Sequence, residues 1–258
     1  MILAKKVRLL PTEEQEQQLL KSVGTARFIY NWTLNRQEEN YKNGGKFISD
    51  NDLRKELTVL KQDELKWLSE VSNNVAKQAV KDGCNAYKRF FKGQSEKPKF
   101  KSRRKSKKSF YNDTEKLKVK ENKLVLVEKV GWLKTNEQLP LGVKYINPRI
   151  SNDNKYWYIS VGIEQAEIKE DLTDISLGID LGLKDLAVCS NGDVYKNINK
   201  TYVVRKKEKR LKRLQKQVSK KYENNKNGKE FVKTKNIIKL EKKIQLLHRR
   251  LKSPKRLS

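Results

Sequence analysis

One carboxylate stands out by its surroundings. In "ISLGIDLGLKDLAVCSNGDVY", residues 175–195, Asp180 closes an apolar run, and Gly182 follows two positions later. A buried acid is costly unless it is paired or bound to a cation. In a chain rich in phosphate-binding charge that cation would be magnesium. Phosphodiester hydrolysis by two metal ions needs several carboxylates converging from separate segments, with the ions held about 4 Å apart. Asp180 would then be the ligand that bridges them. An acid at a strand end before a glycine also serves as a plain turn-capping device, and the spacing favours neither reading.

Other reactive residues are few. The single histidine, His248, sits between Leu247 and Arg249 in a basic helical pattern and reads as a solvated helix residue, so histidine general-base chemistry is not expected. Cys84 and Cys189 are the only cysteines, with no C-x-x-C pair, so no zinc is expected in this chain. Two scattered thiols and no secretion signal fit a reducing cytoplasm.

The charge is more telling. A formal net charge of +29 seeks polyanions, and nucleic acid is the expected partner. A membrane is not expected as a partner. No apolar run reaches about 18 residues, "MILAKKVRLLPTEEQ" has only a short apolar start, and the basic stretches lack an interfacial aromatic face. Residues 201–258 carry 22 Lys or Arg against 4 Glu, a net +18, which leaves +11 for the rest. Residues 92–108, "KGQSEKPKFKSRRKSKK", carry nine Lys or Arg against one Glu, with Phe100 placed to stack among them. The candidate nucleic-acid contacts are Lys99, Lys101, Arg103 and Arg104 in this arm, Arg27, Lys77 and Gln78 ahead of it, and Arg205, Arg210, Lys212 and Arg213 in the basic end. For each one, a solvated surface cation is the plain alternative.

These residues need elements to place them. Residues 1–10 read as a strand stopped by Pro11. Thr12 and Gln15 form a capping box, Leu19, Leu20 and Val23 follow helical spacing, and Gly24 is expected to interrupt before a second helix holding Phe28, Ile29, Trp32 and Leu34. Ser49 with Asp52 opens another helix. A fourth runs from about Asn73 to Lys92 with a stripe of Val75, Ala79, Ala86, Tyr87, Phe90 and Phe91. From Phe110 to Glu164 the period becomes two, with hairpins in "KLKVKENKLVLV" and "VKYINPRISNDNKYWYISVGIE", which suggests a small β-barrel that the first strand joins.

The fold class is therefore α+β, a barrel of residues 1–11 and 109–170 with a helical bundle, 12–92, inserted and a basic arm, 93–108, leading back. After a polar hinge at 165–174, "ISLGID" reads as a strand covered on both faces. "DLAVCS" and "VYKN" complete a meander around Asn191–Gly192. Leu211, Leu214 and Val218, then Ile237, Leu240, Ile244, Leu247 and Leu251, form the seam of an antiparallel helical hairpin, 201–252, with basic outer faces.

The phrase "GIDLGLKDLAVCSNG" closely resembles the first RuvC motif of the TnpB family, the OrfB-type insertion-sequence proteins called transposases and regarded as RNA-guided DNA nucleases. "KVRLLPTEEQEQQLLKSVGTARFIYNWTLN" resembles the family's amino-terminal segment at Pro11, Thr12, Gln15, Gly24, Arg27 and Asn31. "KPKFKSRRKSKKSF" resembles its Pro-x-Phe-Lys stretch, and "KLEKKIQLLHRRL" its basic helix. The resemblance implies a wedge-type β-barrel with an inserted recognition bundle, then an RNase H-like RuvC domain, here residues 174–258. It also implies DNA and a guide RNA as partners, magnesium as cofactor, and Asp180 as first catalytic metal ligand.

The family pattern continues with a catalytic glutamate, a four-cysteine zinc ribbon and a last aspartate, none of which follows here. After Asp193 the acids are Glu208, Glu223, Glu230 and Glu241, all among lysines on helical patterns. The chain thus reads as a carboxy-terminally truncated, incomplete RuvC protein that binds nucleic acid without cutting it alone. The alternatives are a binding-only, repressor-like holder of guide RNA or DNA, and a basic structural RNA-binding protein.

Overall fold

The computed structural model describes residues 1–165, 176–228 and 230–252. It divides into two compact units, residues 1–167 and 168–258.

In the first unit, β1 (Ile2–Leu10) leads into three helices, α1 (Glu13–Lys42), α2 (Asp50–Leu60) and α3 (Asn73–Phe91). Six strands follow: β2 (Lys108–Tyr111), β3 (Lys118–Lys120), β4 (Leu124–Val127), β5 (Gly131–Thr135), β6 (Tyr145–Asn152) and β7 (Trp157–Glu164). All seven strands form one sheet in the order β2-β6-β7-β1-β5-β4-β3. β1 pairs antiparallel with β7 from Ile2↔Glu164 to Leu9↔Trp157, and its end pairs with β5. The first strand therefore does join the later β region, with the helices lying in sequence between β1 and β2.

Alternation explains which sheet face is covered. Val7 and Leu9 of β1 and Trp157, Ile159 and Val161 of β7 are buried, and Leu19 and Val23 of α1 with Val75 of α3 share their cluster. Burying each such side chain contributes roughly 1.5–3 kcal/mol. A second cluster, including Ile29, Leu53, Leu57, Leu68, Val80 and Cys84, holds the helices to one another.

Three helical expectations are corrected. Gly24 does not break the chain into two helices, for α1 runs 30 residues through it. Glycine inside a helix costs only about 1 kcal/mol, and the buried Val23, Thr25 and Ile29 on either side outweigh that. Leu20, which follows helical spacing, and Phe91, assigned to the buried stripe of its helix, are 46% and 60% exposed. The stripe of α3 instead runs through Val75, Ala76, Ala79, Val80, Gly83, Cys84 and Tyr87. Gly83 is there because α1 passes close by, and a Cβ would stand 2.7 Å from Thr33 Cγ2. The caps fall where the sequence puts them. Thr12 and Gln15 form a reciprocal box, while Ser49 accepts from the Asp52 N–H and donates its own hydroxyl to that carboxylate.

In the second unit, β8 (Ile179–Asp180), β9 (Asp185–Cys189) and β10 (Val194–Lys196) make an antiparallel meander in the order β10-β9-β8, turning at Gly192 with φ +92°. Then α4 (Tyr202–Asn224) and α5 (Lys235–Lys252) pack together across a two-residue ladder, β11 (Lys226–Asn227) with β12 (Glu230–Phe231). Ile237 and Leu247 are buried in the expected seam, and Leu211, Leu214, Val218, Leu240, Ile244 and Leu251 are half-buried. Tyr222 of α4 donates to Glu241 of α5 at 2.8 Å.

The covered strand expected at 175–180 is not found. Only Ile179 and Asp180 pair, and Ile179, Leu181 and Leu183 are 58%, 76% and 83% exposed. β8 is the edge of a three-stranded sheet, and its apolar character calls for a covering layer that the described residues do not supply. Most of the polar hinge, residues 166–174, lies outside the described residues, as do Ile175, which begins that run, and Pro254.

Candidate nucleic-acid interface

The basic arm is held in place. Asn31 on α1 donates its Nδ2–H to the Lys101 carbonyl at 2.9 Å and accepts the Lys101 N–H at 2.8 Å. The Lys101 amine lies 3.6 Å from the centre of the Tyr30 ring. Lys97 pairs with Glu38 of α1 at 2.6 Å. Asn31 and the Pro-x-Phe-Lys stretch are 70 positions apart in sequence, and the fold makes them direct partners.

Behind the pinned arm lies a cleft between α1, α3, β2 and β6. It is lined by Arg27, Lys101, Arg103, Lys107, Lys108 and Arg149 and by one acid, Asp82, with Val23, Val75 and Phe110 among the apolar walls. Gln78 donates to Asp82 Oδ1 at 2.7 Å, and Arg149 reaches both Asp82 oxygens at 3.3 Å. Burial pushes the Lys101 amine below its ordinary pKa, Asp82 opposing the shift and Arg149 adding to it. Burial lowers Lys108 as well, helped by Arg103 and opposed by Glu16. Cations that are desolvated and outnumber their acids are ready to accept an anion.

Of the candidates named from sequence, Arg27, Gln78, Lys101 and Arg103 meet at this cleft. Lys77, Lys99 and Arg104 are not among its lining residues. Lys77 is exposed on α3 beside Lys61, whose amine is lowered by burial and then by Lys77. Lys99 pairs with Glu96 at 2.9 Å, and Arg104 is exposed on the arm. Phe100 is 57% exposed. Arg205, Arg210, Lys212 and Arg213 are all exposed on α4, which has no buried residue, and they form a cationic surface on the second unit. Sequence reasoning missed Arg149, Lys107, Lys108 and Asp82. Arg149 is hidden in a strand of ordinary alternation, and nothing in the sequence places it opposite α3.

Asp180 lies exposed on β8, paired in register with Val188. Gly182 has a conformational reason of its own, since a Cβ there would stand 3.0 Å from the Asp185 carbonyl oxygen. Among the described residues no group of three or more His, Cys, Asp or Glu side chains is arranged to hold a metal ion. A magnesium site needs several oxygen donors. Asp180 with the described residues around it does not fit one.

A family described as "Helix-turn-helix domain" matches residues 1–46, which here form β1, α1 and the start of the next loop, and one described as "Probable transposase" matches residues 159–255. The chain is 30% identical over 246 residues to "Putative RNA-guided DNA endonuclease InsQ" of Escherichia coli (strain K12), covering 94% of this chain and 58% of that protein. It is 29% identical over 196 residues to a Streptomyces pristinaespiralis protein of like description, covering 74% and 49%. The chain thus spans about half the length of these relatives. Among solved structures, a chain of a Cas12f1–sgRNA–target DNA complex is similar at TM-score 0.43 and 15% identity, over 93% of this chain and 59% of that one.

Proposed function

This chain belongs to the OrfB/TnpB family, and on that premise we propose that it is a nucleic-acid-binding protein of insertion-sequence origin that holds a guide RNA and DNA through backbone phosphates. The observation that carries this reading is the pinned arm over a cleft with six cations and one acid. Arg27, Gln78, Lys101 and Arg103 contact phosphate in that cleft. Lys77, Lys99 and Arg104 extend the contact along the first unit, and Arg205, Arg210, Lys212 and Arg213 bind on α4. The wedge-and-bundle organisation at residues 1–170 and the RuvC-type identity of residues 174–258 belong to the same proposal.

Cutting is a separate matter. Family membership implies a metal-dependent endonuclease, with Asp180 as a magnesium ligand. Because Asp180 belongs to no group of three or more His, Cys, Asp or Glu side chains among the described residues, this chain binds without cleaving unless other carboxylates are supplied. The relatives' names support DNA and guide RNA as partners.

Ultraviolet crosslinking of the full chain to RNA co-purified from its native host, followed by peptide mapping, tests the reading. Crosslinks are expected in residues 97–108 and along α4. Crosslinks confined elsewhere, or no co-purified RNA, contradict it. The same preparation given magnesium and a matched target is expected to shift the DNA without cutting it.

A further inference from the structure

The cleft contains a single acid, and it faces the one arginine contributed by the sheet. We propose that Asp82 occupies the place of a nucleic-acid phosphate: a backbone phosphodiester seats against Arg149 beside Lys101 and takes the guanidinium from the carboxylate. The inference deepens the nucleic-acid reading above by naming the place and the group.

Five observations carry it. Arg149 stands 3.3 Å from each Asp82 oxygen, longer than the roughly 2.7–2.9 Å of a tight charge-assisted bond. Asp82 is meanwhile held by Gln78, one turn away on its own helix, at 2.7 Å. The acid is therefore anchored independently of the arginine, and the arginine can change partners. The pair is open to solvent, with side chains 35% and 29% exposed, so a ligand can reach it. The room left for a ligand in the cleft is about 40 Å³. Pockets for drug-sized molecules run to roughly 300–1,000 Å³, so this cleft takes a small group, and its cations favour an anionic one. A guanidinium fork matches phosphate geometry in the same bidentate way that it matches carboxylate. Lys101, depressed by burial and within the field of both Asp82 and Arg149, gains a counter-charge when phosphate enters.

The test uses the full chain, a fluorescently labelled RNA and a labelled DNA duplex, with anisotropy read across a salt series. Asp82→Asn keeps the shape and the Gln78 acceptor but removes the competing charge. It is expected to tighten binding about two- to fivefold, the worth of an exposed ion pair, and to steepen the salt dependence. Arg149→Gln is expected to weaken binding and to reduce the salt slope by up to about 0.9 on duplex. In the double variant the gain from Asp82→Asn disappears.

Weaker or unchanged binding by Asp82→Asn, or a full salt slope in Arg149→Gln, overturns the site while leaving the broader reading standing. A wild-type chain that binds neither nucleic acid overturns both. Micromolar binding of inorganic phosphate alone, measured by calorimetry, would assign the cleft to a free anion and overturn the backbone assignment.

Discussion

The clamp on the arm can be broken at one residue. Asn31→Ala removes two part-buried hydrogen bonds to the Lys101 backbone, each worth about 0.5–1.5 kcal/mol net, so about 1–3 kcal/mol of arm ordering is lost. If the pinned arm presents Lys101, Arg103, Lys107 and Lys108 to phosphate, binding must supply that ordering itself. Affinity for RNA should then fall by roughly 5- to 150-fold. No cation is removed, so the slope of log K against log salt should stay at the wild-type value. Asn31→Asp keeps the acceptor for the Lys101 N–H but sets a carboxylate against the Lys101 carbonyl and adds an acid beside the arm, so it should bind RNA at least as weakly as Asn31→Ala. Anisotropy gives the affinity and slope, and limited trypsin digestion gives the freedom of the arm, with faster cleavage after residues 101–108. A variant with wild-type digestion and wild-type affinity, or one whose slope falls, refutes the reasoning.

Further outcomes follow from other parts of the fold. Burial pushes the Cys84 thiol up to about 11, so alkylation at pH 8 should mark Cys84 only after unfolding, as peptide mass mapping would show; equal labelling of native protein contradicts the packing. Thr12→Ala loses the α1 cap and should lower stability by about 1 kcal/mol in urea denaturation. Ile237→Ala empties a fully buried seam position and should cost the hairpin about 2–5 kcal/mol, seen as lost helicity on heating. Lys101 has a folded pKa below its unfolded one, so its charge penalises the folded state at low pH, and that penalty lifts as pH rises through the folded value. The same deprotonation weakens anion binding, so affinity should drop below the usual lysine pH. Lys101→Arg, permanently charged, should abolish that early drop in a pH series.

Local rules located the caps of α1 and α2, both long hairpins, the turn at Gly192 and the α4–α5 seam, because each depends on neighbours a few positions apart. The same rules failed where packing between distant segments decides. Gly24 breaks a helix on propensity, yet Val23 and Ile29 bind α1 to the sheet and to the other helices. Leu20 and Phe91 have helical spacing but lie beyond the face that a neighbour covers. Of the apolar run before Asp180 only Ile179 and Asp180 pair as a strand, and their exposure depends on which layers are present rather than on the run's own residues. At the site, composition showed that the arm was basic. Only the fold reveals that Asn31 pins it and that Arg149, from β6, meets Asp82 in the cleft behind it. A lysine in a basic run looks the same in sequence whether it lies over Tyr30, as Lys101 does, or pairs with Glu96, as Lys99 does.

The most direct test of phosphate gripping is the salt dependence of RNA and duplex binding by the full chain. With about six phosphates contacted, affinity should fall roughly a thousandfold between about 50 and 200 mM salt, with a log–log slope near −5 on duplex. A flat response over that range would contradict the account at its root.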